Sequence, residues 1–593
     1  MSLNLIPLPV VKVLDPRVDL NNYRSYAILR GGSEVTWQAF PSTSFSPSQI
    51  QITANPPSQQ VCVNRKPLLS MSFALQFTGI PPVGQTVLQP NFDAPRAYPI
   101  ATVSNTLQVT LNNDQISANL NQYWSAISRY YNWKKQREFD YSVTPSMLDQ
   151  YQQYVDWLDP YRGGGARNAL GSYGITNDEG GRGGFQGLTI VNNPTQTVPG
   201  TTLTATAVLN VTEPLWLSPF LFDGEDKSGL VGVQNMSLTL TLGNLNRVWS
   251  HDPTSPVGSF TVSAGITRGA LTKQDPDFAP TLLMNYITPD PIERLPSALS
   301  WDYFEIIPYP TTASSSLANN KSTVMTMNSV QLKTIPRRMY IFARRQDADL
   351  TFATTDTFAV INNLNVTFNN RVGIFSSASQ QDLYEMSVKN GLNTPFSSFA
   401  RYTGSVICVE FGTDLALASN EAPGLVGNYQ LGVQVNMTNP ALMENINPAP
   451  PANPVLYTLY VVVVNEGAIS VLNGSVQHMV GVFSQMDILN SHTNPRVPYK
   501  KLKSIYGGDF FSSLGDIGRN LVSGVRRGFE YAKPLISKGL DLAQPFIPGP
   551  LGTAVKVGRM VTGVGMKMRK KKRKGGVLVG GKMISRSKLR SKL

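Results

Sequence analysis

The side chains best suited to acid–base, nucleophilic or metal chemistry are few in this 593-residue chain. It has three histidines, His251, His478 and His492, and two cysteines, Cys62 and Cys408. No pair of them has the spacing of a metal site, and no serine lies in a G-x-S-x-G turn. We therefore predict a non-enzymatic protein with no metal and no cofactor. Both cysteines lie in apolar runs, so we expect buried free thiols.

A phosphate-binding glycine loop and a catalytic carboxylate pair are the two enzymatic sites left to consider. The glycine-rich stretch from Gly163 to Gly187 has no lysine followed by Ser or Thr, the pair that a phosphate-binding loop requires. Asp347 and Asp349 fall in a predicted loop, where solvated carboxylates are ordinary. A tailspike-type glycosidase, with a carboxylate pair formed only in the folded chain, remains the alternative from the enzyme class.

Two stretches of the sequence occur twice, in the same order. Residues 107–114 (LQVTLNND) match residues 364–371 (LNVTFNNR), and residues 229–244 match residues 424–439. Apolar and polar residues alternate in the first pair, which is typical of a strand with one buried face. The Asn-Asn that follows suits a turn, because Asn tolerates left-handed backbone. The repeats indicate one β-domain built twice.

Short apolar runs separated by turn residues, with 48 Gly and 42 Pro, predict an all-β chain of two tandem β-sandwiches. We expect strands within 71–78, 201–211, 339–344, 405–411 and 456–465. The two copies of the first repeat are 257 residues apart, and the two copies of the second are 195 apart. The first half therefore has about 62 more residues between its two repeats than the second half has. That excess includes an aromatic segment from Tyr123 to Trp157, and we expect an exposed loop or tower there.

The predicted organisation has seven parts. They are an N-terminal arm (1–24), a first sandwich (25–275) with a surface insertion at about 115–190, a linker (276–295), a second sandwich (296–490), a linker ending in Gly-Gly (491–508), an amphipathic, Pro/Gly-rich segment (509–565) and a basic tail (566–593). No apolar run reaches the roughly 20 residues of a membrane span, and residues 1–11 lack the basic start of a secretory signal. We expect a soluble body made inside the cell.

Positive charge is concentrated at the C-terminal end. Residues 501–593 contain 21 Lys or Arg and 4 Asp or Glu, whereas residues 1–500 contain 30 and 34. Such asymmetry indicates a polyanionic partner. The densest run suits phosphate contact or nuclear import and lacks aromatic residues for base stacking. Its basic residues are Lys567, Arg569, Lys570, Lys571, Lys572, Arg573 and Lys574.

An amphipathic segment precedes the basic run. Its apolar residues recur at steps of three and four and fall on one helical face. They are Phe510, Leu514, Ile517, Leu521 and Val525. Several intervening glycines weaken such a helix by up to about 1 kcal/mol each. A membrane surface would order it; packing beneath a protein shell is the alternative.

The second half of the chain carries a family resemblance. Residues 336–345, 364–371, 376–384, 409–412 and 421–424 follow one another as in the second half of double-jelly-roll major capsid proteins. The nearest groups are taken to be adintoviruses, Polinton-like elements and adenoviruses, and the resemblance covers roughly residues 25–490. It implies two jelly rolls per chain, a homotrimer with a pseudo-hexagonal outline, a capsid lattice with minor capsid proteins, and a location in the virion. Alternatives are a capsid protein of another virus class with single jelly rolls in tandem, or a β-sandwich adhesin.

Two Gly-Gly sites resemble the recognition pattern of adenovirus-type maturation proteases. One comprises Gly507, Gly508 and Asp509, and the other comprises Gly580, Gly581 and Lys582. Glycine lets a substrate backbone approach a narrow cleft closely. The segment after the first site resembles the start of mature adenovirus protein VI, which implies a membrane-active role. With the basic run, the resemblance implies a viral DNA genome as partner, synthesis in the cytoplasm and assembly in the nucleus.

Overall fold

The fold is described from a computed structural model. It describes residues 34–130 and 188–489, apart from short gaps (59–60, 90–91, 97, 221–228, 252–254, 268–278, 289–297, 355–357, 403, 441–453, 473 and 482). It also describes four short strands at residues 10–14, 23–27, 576–579 and 582–585.

The strands are numbered in chain order. The first half contains β1 (Val10–Leu14), β2 (Tyr23–Ala27), β3 (Glu34–Pro41), β4 (Ser44–Phe45), β5 (Gln49–Thr53), β6 (Cys62–Val63), β7 (Leu68–Ile80), β8 (Asp93–Pro95), β9 (Ser104–Leu111), β10 (Asp114–Ala118), β11 (Leu188–Asn192), β12 (Leu203–Pro214), β13 (Leu230–Val231), β14 (Met236–Leu242), β15 (Trp249–His251), β16 (Gly258–Thr267) and β17 (Thr281–Thr288). The second half contains β18 (Ala298–Thr312), β19 (Ser322–Thr334), β20 (Arg338–Arg345), β21 (Val360–Phe368), β22 (Arg371–Ile374), β23 (Ile407–Glu410), β24 (Val426–Thr438), β25 (Tyr457–Leu472) and β26 (Ser475–Val480).

Helices are short in the described part of the chain. They are α1 (Pro99–Val103), α2 (Leu120–Ile127), α3 (Gln380–Lys389) and α4 (Gln485–Leu489), with 3-10 turns at Ser128–Tyr130, Leu245–Val248 and Asp347–Asp349 and a π turn at Ser398–Tyr402. Helix α3 begins with a capping box, in which Ser379 Oγ accepts from Asp382 N and Asp382 Oδ2 accepts from Ser379 N.

Both halves are antiparallel sandwiches with the same strand order. In the second half, β18-β25-β20-β23 form one sheet and β19-β24-β21-β22 form the other. In the first half, β3, β17, β7 and β12 are hydrogen-bonded neighbours in one sheet, and β5-β14-β9-β10 form the other. The all-β, double-jelly-roll fold expected from the sequence is confirmed, and each of the five expected strands is present.

The register shows that the two halves are copies. Met236 pairs with Leu111 in the first half, and Leu431 pairs with Phe368 in the second. These four residues are the matched positions of the two sequence repeats. The alignment read from the repeats is therefore also the alignment of hydrogen-bonded neighbours in space, which confirms the duplication.

Strands of the second sandwich are buried on both faces. Nearly every residue of β20, β23 and β25 is buried, including the run from Val461 to Val464. Helix α3 packs on β23, where Ser387 Oγ accepts from Cys408 N (3.3 Å). Tyr130 of the first half packs on β20, with 5.0 Å between its ring centre and that of Tyr340. Cover on both faces explains why these strands are continuous apolar runs instead of alternating ones.

Three expectations need correction. Residues 281–288, predicted as part of a linker, form strand β17, which pairs with β3 and β7. The start of the predicted exposed insertion is buried: β10 and α2 lie there, and Tyr123 and Trp124 belong to the core. Helix α2 has apolar residues at spacings of three and four, which direct one face inward. Residues 131–187 lie outside the described residues. Both cysteines were expected to be buried, but only Cys408 is fully buried, and Cys62 is half-buried.

The ends of the chain contain two further hairpins. Strand β1 of the predicted N-terminal arm pairs with β2. In the tail, β27 (Gly576–Val579) pairs with β28 (Lys582–Ser585), a hairpin that the sequence analysis did not predict.

Candidate functional site

The junction between the two sandwiches contains many long-range polar contacts, and helix α2 leads directly into it. Arg129 and Tyr130, in the turn after α2, are fully buried. The Tyr130 hydroxyl donates to the carbonyl of Val406 (2.7 Å). The Arg129 guanidinium lies 4.2 Å from the centre of the Phe358 ring and donates to the carbonyl of Gly404 (3.3 Å). These contacts fix the end of α2 against the second sandwich.

A second polar contact is made by Arg96, which follows β8 and is fully buried. Its Nε donates to the carbonyl of Trp249 in the first half (3.2 Å). Its Nη2 donates to carbonyls of the loop after β20, at Thr351 (3.1 Å) and Phe352 (3.4 Å). A guanidinium has five donors in a rigid fork, so one side chain satisfies carbonyls from both halves.

A buried carboxylate–imidazole pair stands beside Arg96. Asp93 Oδ1 lies 2.8 Å from His251 Nδ1 and accepts from Trp249 Nε1 (3.1 Å). The His251 ring stacks on Phe260 with 3.6 Å between ring centres. Its backbone N–H donates to the carbonyl of Phe352 (3.0 Å). The pair joins β8 to β15, and the His251 backbone joins β15 to the second half. Since both side chains are buried, the pair is not placed to meet a substrate.

The turn of the first repeat makes a third contact. The Asn112 side-chain amide donates to the carbonyl of Gly474 (2.7 Å). Asn113 Oδ1 accepts from Val476 N (3.0 Å). Asp114 Oδ2 accepts from the His478 backbone (2.8 Å) and lies 2.7 Å from His478 Nδ1. The sequence predicted a turn here but not its role in holding β26.

Buried charges in the second sandwich lie next to charges of opposite sign. Arg338 forms an ion pair with Glu410 through Nη2 and donates to it through Nε (2.5 Å). Arg337 Nε lies 3.7 Å from Glu466. Burial raises the pKa of Glu466, and Arg337 opposes that rise. Burial also raises the pKa of the Cys408 thiol, which makes it a poor nucleophile. The arrangement is structural, because buried charges persist where they are paired.

The site residues predicted from the sequence lie almost entirely outside the described residues. This holds for the first Gly-Gly site, the amphipathic apolar residues, the basic run, and Gly580 and Gly581. Lys582 is the exception, as the first residue of β28, where it pairs with Val579. Among the described residues, no group of three or more His, Cys, Asp or Glu side chains could hold a metal ion. No helix within that same part of the chain is long and apolar enough to cross a membrane.

Two jelly rolls of matched register, joined by a buried junction, define the double-jelly-roll class of capsid proteins. Residues 8–286 match the model of the Sputnik virophage major capsid protein first domain, and residues 308–467 match that of the major capsid protein V20 C-terminal domain. The putative capsid protein V20 of Sputnik virophage is 34% identical over 632 residues, covering 100% of both chains. The chain therefore belongs to the virophage major capsid protein family represented by V20.

Solved structures agree with this assignment. The cryo-EM structure of the Sputnik virophage matches with a TM-score of 0.70 and 33% identity, over 86% of this chain and 100% of that one. The crystal structure of the mavirus major capsid protein matches with a TM-score of 0.61, over 77% of this chain and 93% of that one. At 16% identity it supports the fold alone. The protein is a structural component of an icosahedral virion and not an enzyme. The comparisons support virophage relatives. They do not support the narrower affiliation with adintoviruses, Polinton-like elements and adenoviruses, nor the protein VI-like extension.

Proposed function

We propose that this capsid protein assembles as a homotrimer with a pseudo-hexagonal outline, and that these trimers tile the shell. The matched register of the two sandwiches supports this most directly. Each chain supplies two similar units held together by a buried junction, so three chains supply six. Neighbouring units can then meet through similar surfaces, as a near-sixfold arrangement requires.

Truncation after Pro498 tests the trimer. It removes the amphipathic and basic segments and leaves every strand from β3 to β26. We expect light scattering coupled to size exclusion to give three times the chain mass for the truncated and the full-length protein alike. A truncated protein that stays monomeric over the accessible concentration range would contradict a trimer formed by the sandwiches.

The basic tail (566–593) is proposed to contact the viral genome. Twelve of its 28 residues are Lys or Arg, and none is acidic. Such a tail neutralises phosphates without reading sequence. DNA is the expected genome, and the same run would direct protein made in the cytoplasm to assembly in the nucleus. Minor capsid proteins complete the proposed lattice.

The segment between the two Gly-Gly sites is proposed to be released and to act on membranes. Support comes from its apolar face, its basic residues and its position between the two sites. In this proposal an adenovirus-type protease, from another gene, cuts after Gly508 and after Gly581. The freed segment then contacts a membrane transiently during entry.

A further inference from the structure

A cleft of about 280 Å³ opens at the junction between the two sandwiches. From the first half, its walls include Asn121, Ser125 and Arg247. From the second half, they include Arg344 and Asp347. A molecule bound there would touch both sandwiches of one chain, so the cleft exists whether or not the chain forms trimers.

Two side chains that line this cleft each carry a polar atom that is buried and has no hydrogen-bond partner among the described residues. The atoms are Asn121 Oδ1 and Ser125 Oγ, four residues apart on one face of α2. The Asn121 amide nitrogen is already engaged, since it donates to Asn105 Oδ1 (2.6 Å). A buried polar atom without a partner costs roughly 1–3 kcal/mol. In native proteins such atoms are few and commonly meet a water or a ligand.

The charge of the cleft is positive. Arg247 and Arg344 are both buried, whereas Asp347, the acidic side chain of the lining, is half exposed. Arg344 is held in place: Nη1 donates to the carbonyl of Asn121 (2.5 Å) and Nη2 to Asp347 Oδ1 (2.5 Å). Buried guanidinium groups favour oxyanions, which they bind through charge-assisted hydrogen bonds.

We propose that this cleft binds a phosphate-type oxyanion, either free phosphate or the phosphoryl group of a small phosphomonoester. Hydrogenphosphate has the complementary groups. Its charged oxygens accept from Arg247, Arg344 and the Ser125 hydroxyl, and its O–H donates to Asn121 Oδ1. Sulfate has the same shape but no O–H at neutral pH, so it leaves Asn121 Oδ1 unsatisfied. Bound phosphate would hold the two sandwiches together.

Calorimetric titration and thermal melting of the full chain test the proposal, with chloride at matched ionic strength as the reference. We expect phosphate to bind and to raise the melting temperature in a saturable way, and sulfate to bind more weakly. Glycerol phosphate distinguishes the two sources: tighter binding than inorganic phosphate indicates a phosphomonoester, and weaker binding indicates the free ion. A melting temperature that responds to phosphate no more than to chloride would overturn the proposal.

Variants locate the site. Arg247→Gln should weaken phosphate binding about tenfold or more, because it removes a charge-assisted hydrogen bond. Arg371→Gln is the matched control: it removes the same charge from an arginine that pairs with Glu421 outside the cleft, and binding should be unchanged. Ser125→Ala should weaken phosphate binding without lowering the melting temperature of the free protein, because it deletes a buried hydroxyl that has no hydrogen-bond partner among the described residues. Equal phosphate affinity in Ser125→Ala and the parent would place the anion elsewhere, even if Arg247→Gln fails to fold.

Discussion

Asn112 and Asn369 occupy the same position in the two halves of the chain. Both follow the last residue of their strand and adopt left-handed backbone, with φ of 54° and 53°. The backbone N–H of Asn112 donates to Asn235 and that of Asn369 to Gln430, both at 2.8 Å. Each side-chain oxygen accepts a backbone N–H from the same neighbouring strand segment (3.0 and 2.9 Å). Asn112 makes further bonds: its side-chain oxygen also accepts from Gln234 N (2.7 Å), and its amide donates to Gly232 and, across the junction, to Gly474.

Replacing these asparagines with glycine should separate the two roles. Glycine keeps the left-handed backbone without strain. Asn369→Gly loses its side-chain hydrogen bond, at a cost of about 1 kcal/mol. Asn112→Gly also loses the bonds to Gly232, Gln234 and Gly474, so we expect roughly 2 kcal/mol or more. Thermal melting compares them, and equal shifts would show that the Asn112 contact across the junction adds nothing.

Tyr130→Phe should loosen the junction specifically. The change removes the bond from the Tyr130 hydroxyl to Val406 and leaves the edge-to-face ring contact with Tyr340, costing about 1 kcal/mol. Tyr384→Phe is the control, because its hydroxyl donates to Thr394 within the second sandwich. Hydrogen exchange should accelerate in β23 only for Tyr130→Phe. The same acceleration in both variants would show that β23 responds to general destabilisation.

Glu213 should make stability depend on pH. Burial raises its pKa from the ordinary 4.5 to about 8. The folded chain thus keeps a proton that the unfolded chain loses. The stabilisation is complete below about pH 4.5 and is lost as the pH rises through 8. Between pH 5 and pH 8, the melting temperature of the parent should fall relative to that of Glu213→Gln.

The control for Glu213 is Asp382→Asn. The hydrogen bonds of the Ser379 cap lower the pKa of the Asp382 carboxylate below the ordinary 3.8. Its stabilisation is therefore complete above that ordinary pKa and is lost only as the pH falls through the lowered one. Its difference from the parent should stay constant from pH 5 to pH 8. Parallel curves for Glu213→Gln and the parent would mean that Glu213 is ionised in the folded chain throughout this range.

Gly508→Val should block the proposed first cut. A branched side chain would stand where the protease cleft admits only glycine. Mass spectrometry of particles should show the parent chain ending at Gly508 and the variant chain continuing past it. Gly515→Val lies outside the recognition pattern and should be cut normally. Intact 593-residue chains as the main species in mature parent particles would contradict the maturation proposal.

Replacing Arg569–Lys574 with alanine should reduce both DNA binding and nuclear accumulation. If about six phosphates are neutralised, the logarithm of the binding constant for duplex DNA should fall linearly with the logarithm of the salt concentration, with a slope near −5. The variant should show a shallower slope, little change in sequence preference and an unchanged trimer. Binding measured with purified protein separates the first effect from import. An unchanged slope would show that the run is a solvated tail.

The sequence alone determined the fold class and the duplication. Alternation along Leu107–Leu111 and Leu364–Phe368 is a local property, because one face of each strand meets the core. The Asn residues that end both strands are also local, since a left-handed turn position restricts residue type whatever surrounds it. The same reasoning identified the basic run, whose charge density needs no structure to be recognised.

Only the tertiary structure decided what lies at the junction. Strand β17 was predicted as linker, because a strand is recognised as part of a sheet only when its neighbours, β3 and β7, are known. The spacing of apolar residues in α2 indicates a buried face, but only the folded chain shows that Trp124 packs on Tyr98 and Trp216. The cleft combines Arg247 with Arg344, residues 97 positions apart. Side chains distant in sequence meet through packing, so their shared electrostatics exist only in the folded chain.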